Sequence, residues 1–136
     1  MKNYTTKISA AKTVGEIQAI LAKHGARKIM FDYSDQGRIS CVCFTILTSQ
    51  GLQGVRLPAN ADKVLEVLKR EGIKADYDKA ENVAWRNVKD WLDAQLAILE
   101  TEMVTINQVM LPYFCDQSGQ TFYELYNNGN LRLEDK

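Results

Sequence analysis

The residues best suited to soft-metal ligation or nucleophilic chemistry are Cys41, Cys43, Cys115 and the single histidine, His24. A tetrahedral zinc site is usually built from ligand pairs a few residues apart, because a short loop then holds two ligands at one ion. Here the four residues come from distant segments, so no metal centre is expected. Cys41 and Cys43 are two apart in "RISCVCFTIL", which reads as a strand. Their side chains then share one face instead of meeting as a disulfide, and small buried hydrophobes are the plainest reading. His24 falls at the end of a helix, where a cation is favoured by the helix dipole. With no nucleophile motif beside it, Ser/His/Asp or Cys/His catalysis has no support. The eight glycines are spread singly through turns and caps, so no phosphate-cradling loop exists. Acidic pairs such as Asp76 with Asp78, or Glu100 with Glu102, fall at helix ends or on solvated faces. A non-enzymatic protein with no catalytic residue, metal or cofactor is expected.

A second constellation is "VAWRNVKDW" at 83–91, which holds both tryptophans with Arg86 and Lys89 between them. Such a mixture could stack nucleic-acid bases, a role that needs cations beside the aromatics. At about 100° per residue, Trp85 and Trp91 fall about 60° to either side of Val88, with Ala84, Leu92 and Leu99 in the same arc. Arg86, Asp90 and Asp93 fall on the opposite side, with Lys89 at the flank. The indoles are therefore expected in the core and the guanidinium of Arg86 in water. Arg86 with Asp90, and Lys89 with Asp93, have the i,i+4 spacing of helix-surface ion pairs. Gln95 is the one polar residue inside the apolar arc, and a symmetric helix pairing could satisfy it.

The 136 residues carry 17 cations and 17 anions. A zero net charge argues against broad electrostatic attraction to nucleic acid. The distribution is uneven, because residues 1–30 hold Lys2, Lys7, Lys12, Lys23, Arg27 and Lys28 against only Glu16. These six, with Arg38 and Arg56, are the candidate binding residues, either for an acidic partner protein or for phosphates. In the nucleic-acid alternative, a role in phage replication or recombination, Tyr4 and Tyr33 would supply stacking.

The elements that must position these groups are read from periodicity and caps. No repeat, low-complexity tract or linker divides the chain, so a single α+β domain over 1–136 is expected. "YTTKIS" has the β-branched content of a strand. Thr13 and Glu16 have capping-box spacing ahead of a helix near 13–24, closed by Gly25. "RKIMFDY", "RISCVCFTIL" and "LQGVRLP", separated by "SDQG" and "SQG", form an antiparallel three-stranded meander, with Ile39, Cys41 and Cys43 on one face of the middle strand. Asn60 caps a helix that stops at Gly72, with Ile73 completing a Schellman ending.

A long helix near 79–103 follows. At 1.5 Å per residue it outruns a small sheet, so its surplus should pack on the C-terminal segment or on a second copy of the chain, making a homodimer. Thr105 with Gln108, and Thr121 with Glu124, mark two short helices around the turn "CDQSGQ". The order helix, three strands, helix is that of a double-stranded RNA-binding domain, but its closing helix opens "NADKVLE" without the lysine cluster such a domain needs. No stretch has the length of a membrane span or the pattern of a signal peptide, and an odd cysteine count fits a reduced compartment, so a soluble protein of the bacterial cytoplasm is expected.

"YTTKIS", "TVGEIQAILAKHGA", "AWRNVKDWLDAQLAILE" and "LPYFCDQSGQT", in this order, resemble a group of small proteins encoded by phages, prophages and conjugative elements of bacteria. Relatives in that group often carry a charged insertion where this chain has the helix 61–71. The resemblance implies a setting and supplies no catalytic residues. It implies an accessory protein that binds a host or phage macromolecule in the host cell, for example to inhibit a host defence system.

Overall fold

The computed structural model describes residues 1–129. Its elements are α1 (Ala10–Lys23), β1 (Ile29–Tyr33), β2 (Ile39–Thr48), β3 (Gly51–Pro58), α2 (Ala61–Arg70), α3 (Tyr77–Glu100), α4 (Ile106–Met110), a 3-10 turn (Leu111–Tyr113) and α5 (Phe122–Asn127). The sheet is an antiparallel meander in the order β1-β2-β3, as the two turn signals require. Thr48 and Gly51 face each other around Ser49 and Gln50; neither of those two has a positive φ, and Gly51 takes 106°, the left-handed residue that closes a three-residue hairpin loop. The fold is α+β.

One face of the sheet is sealed by helices. Val42, Phe44 and Ile46 of β2 and Val55 and Leu57 of β3 meet Val14, Ile17 and Leu21 of α1 and Ala84, Trp85, Leu92 and Leu96 of α3 in the main core. Trp85 is fully buried, donates its indole N–H to the Ile39 carbonyl at 3.2 Å, and meets Phe31 edge-on at 6.5 Å. Burying that ring satisfies its one polar atom, as a buried indole requires. A smaller cluster of Leu68, Ala80 and Val83 joins α2 to the first turns of α3. Both helix endings read from glycine form: Ala26 donates to the Leu21 carbonyl and Ile73 to that of Leu68, each at 2.9 Å, the long bond of a Schellman motif.

Several expectations are corrected. "YTTKIS" forms a turn and an extended lead, with no strand. α1 starts three residues earlier than read, because Ser9 accepts from the Lys12 amide at 3.1 Å and takes the cap that Thr13 was expected to fill. α3 runs 77–100 instead of 79–103, because Asp76 accepts from the Lys79 amide at 2.8 Å and moves the start forward. Its far end closes at Thr101. A bulge shifts the register so that Asp32 faces Cys41 but Tyr33 faces Ile39, leaving Ser40 over. Ile39 therefore turns to the helix side and joins the core, parting from Cys41 and Cys43.

Gln95 is only half-buried, so it demands no partner. The length of α3 is taken up within the chain by α2 at one end and by Met110 and Ile106 near the other. None of the described helices is long and apolar enough to cross a membrane.

Candidate functional site

Arg86 is the clearest departure from the sequence reading. It does not face water: its guanidinium is half-buried between α3 and α1, paired with the Glu16 carboxylate and donating to the Thr13 hydroxyl at 3.2 Å. Thr13 and Glu16 lie one turn apart on a single face of α1, the spacing that suggested a cap, and together they receive the cation. Asp90, its expected partner, instead accepts from Asn3 at 2.8 Å and pairs with Lys2 at 3.5 Å. The Asn3 amide is the main reason its carboxyl lies below the usual range. Lys89 and Asp93 pair as expected, at 2.8 Å. Trp85 is in the core, while Trp91 is half-buried against Tyr113, edge-on at 5.6 Å.

The eight candidate cations do not share one surface. Arg38 lies over the Tyr77 ring, 4.5 Å from its centroid, and bonds Asp78 at 2.6 Å and Glu81 at 3.3 Å. The Asp78 bond is the main cause of its raised pKa. Arg56 sits on the side of the sheet away from α1 and α3, near Glu124 of α5, its charged form favoured first by the Cys41 sulfur. Lys7 and Lys12 are exposed beside the start of α1, and Lys23, Arg27 and Lys28 are exposed where α1 hands over to β1. Lys7, Lys12, Lys23, Arg27 and Lys28 make no ion pair among the described residues. Tyr4 and Tyr33 are exposed, at 43% and 64%, so either ring could meet a ligand.

Two places can do chemistry or recognition. The first is a groove of about 480 Å³ formed where the C-terminal ends of α1 and α3 meet the start of α4. Its walls include Leu21, Phe44, Ile46, Leu96, Leu99 and Met110, and His24, Arg27 and Glu100 stand at its rim. His24 contacts the Ile20 carbonyl at 2.9 Å and Glu100 at 3.4 Å, so the histidine ties the ends of α1 and α3 together, as a capping residue.

The second is a thiol cluster on the face of the sheet away from α1 and α3, bordered by α5. Alternation puts Cys41 and Cys43 there, and the register sets Asp32 directly across from Cys41 and Arg56 across from Cys43. The Cys41 thiol donates to Asp32 Oδ2 at 3.1 Å, the two sulfurs are 3.9 Å apart, and the Cys43 sulfur is 4.0 Å from the same oxygen. Cys41 is buried and Cys43 half-buried. Burial first, and Cys41 second, push the Cys43 thiol up to about 12. A cavity of about 300 Å³ bounded by Ser40, Arg56, Tyr113, Tyr123 and Glu124 reaches Cys41 from outside.

Cys115 lies nearby, its amide bonded to the Gly54 carbonyl at 2.9 Å, with its thiol also raised by burial. The sequence reading grouped His24 with these cysteines and missed Asp32. The structure puts His24 at the groove and Asp32 at the sulfurs. The register of the β1–β2 hairpin was the signal that could have found it.

No family model, curated protein or solved structure matches the chain.

Proposed function

We propose that the protein is a non-enzymatic recognition factor, of the phage or mobile-element kind its sequence resembles, and that it holds an amphipathic, acidic segment of a partner protein in the groove at the end of α1 and α3. The observation that carries this reading is the pairing of an apolar floor with a cationic edge. Leu99 and Ile106, half-buried in the groove, and the exposed Leu47 on its wall offer anchoring contacts for one face of a helix, over a floor of buried Leu96 and Met110. Arg27 stands at the rim, and Lys23 and Lys28, next to the rim residues His24 and Arg27 in the chain, are exposed, so a partner carrying carboxylates next to its apolar face is favoured and steered by charge. The groove also joins the end of the basic segment 1–30, at His24 to Arg27, to the far end of the long helix, at Leu96 to Glu100.

The test is capture from host lysate with a photo-crosslinking residue at Leu47, an exposed residue on the groove wall. A single crosslinked protein is expected, lost on Leu99→Glu and weakened at least about tenfold by Arg27→Glu with Lys28→Glu, whereas Arg56→Gln leaves it intact. A crosslink to a second copy of this chain would replace a foreign partner by self-association. Micromolar or tighter binding to labelled DNA or RNA that falls steeply with salt would replace protein by nucleic acid. Capture unaffected by the groove variants would reject the site.

A further inference from the structure

We infer that Asp32, Cys41 and Cys43 form a binding site for a thiophilic divalent cation of the zinc class, with the fourth ligand position open to the adjoining cavity. The geometry is already close to that of the bound state. A tetrahedral zinc with bonds of about 2.3 Å to sulfur and about 2.0–2.2 Å to oxygen sets two sulfurs about 3.8 Å apart, and a sulfur and an oxygen about 3.5 Å apart. The observed separations are 3.9 Å between the sulfurs and 3.1 and 4.0 Å from the sulfurs to Asp32 Oδ2. A shift of about half an ångström in one carboxylate equalises the last two. All three ligand atoms lie within 4.8 Å of one another, on two adjacent strands whose register is fixed by the hairpin.

The charge is largely offset. Two thiolates and one carboxylate carry three negative charges, a divalent ion returns two, and Arg56, directly across from Cys43, faces the remainder together with Glu124 of the adjoining cavity. A cation beside a metal would ordinarily repel it. Here it counters the charge of an otherwise anionic, partly buried complex, which is the arrangement that burial of charge demands. Formation is a proton exchange without redox: one M²⁺ enters, two S–H bonds give up their protons to solvent, and two metal–sulfur bonds and one metal–oxygen bond form. Soft sulfur ligands favour zinc over magnesium or calcium. This site is independent of the groove, on another face of the sheet.

The experiment is titration of the reduced full-length chain with Co²⁺, followed by competition with Zn²⁺. One Co²⁺ per chain is expected, with the visible bands of tetrahedral cobalt and a thiolate charge-transfer band matching two sulfurs, all displaced by Zn²⁺. About two protons should be released per ion. Cys43→Ser should abolish the charge-transfer band or halve it, and Asp32→Asn should weaken binding at least about tenfold. Cys115→Ser should leave it unchanged. Because Cys41 is buried and its replacement could unfold the chain, the half-buried Cys43 and Asp32 carry the decision, with circular dichroism checking that each variant is folded. Absence of the charge-transfer band in the wild-type chain would overturn the proposal, as would a band lost in Cys115→Ser but kept in Cys43→Ser.

Discussion

The two faces of one three-stranded sheet have been given different work. On the helix side the middle of the sheet is apolar and closed: Val42 is 0% and Phe44 3% exposed, and the only polar atom of Trp85 is satisfied by a backbone carbonyl. On the other side Met30 is 59% and Leu52 66% exposed, and the middle of that face holds two thiols, a carboxylate and a guanidinium. Alternation along β2 produces both, since Val42 and Phe44 interleave with Cys41 and Cys43. Stability is concentrated on one face, which leaves the other able to carry polar groups that a core could not tolerate.

The strongest way to break this contrast is to empty the closed face. Trp85→Ala should cost about 3–5 kcal/mol in urea unfolding, from lost burial and the cavity left behind, whereas Leu52→Ser should stay within about 0.5 kcal/mol. A cost above about 2 kcal/mol for Leu52→Ser would show that the second face is packed after all. Next in size is the clasp behind the closed face. Arg86→Ala should cost about 1.5–3 kcal/mol, because hydrogen bonds to charged groups are lost and Thr13 stays buried without its donor. A double-mutant cycle with Glu16→Gln should show clear coupling, and additive losses would mean that the pair contributes nothing beyond packing.

A smaller effect comes from pH. The Asp90 carboxyl is lowered, first by the Asn3 amide, so its contribution to stability is complete above the usual carboxylate pKa of about 3.9 and is lost as pH falls through the lower folded value. Asn3→Ala should move Asp90 back up in a carboxyl NMR titration and reduce this acid dependence. An unchanged titration would assign the shift to Lys2 or Lys89 instead.

Most of the architecture was legible because local chemistry and tertiary structure agree. Asn60, Thr105 and Thr121 cap the helices they were read to cap, and "SDQG" and "SQG" turn the strands they separate. The failures share a cause. Thr13 and Glu16 have a spacing that serves a cap and a shared helix face equally well, and only the approach of α3 decides between them. Arg86 points away from the aromatic arc, but a second helix lies there instead of solvent, and a helical wheel cannot show it. Asp32 is unremarkable in sequence and becomes the third member of the thiol cluster only through cross-strand register. Of the candidate cations, the sequence could not tell which would be spent on internal carboxylates, since Asp78 and Glu81 are 40 and 43 residues from Arg38.

The leftover residue Ser40 has a consequence for how this chain tolerates insertions and deletions. Odd and even positions swap sides at that point, so the strand reads in two frames joined by one spacer. Deleting Ser40 would join the frames by plain alternation, leaving Asp32 across from Cys41, Tyr33 across from Ile39, and Ile39 still on the helix side. Lengthening the preceding turn by two residues would also leave both frames intact, so the spacer and the hairpin tip should each accept a change in length.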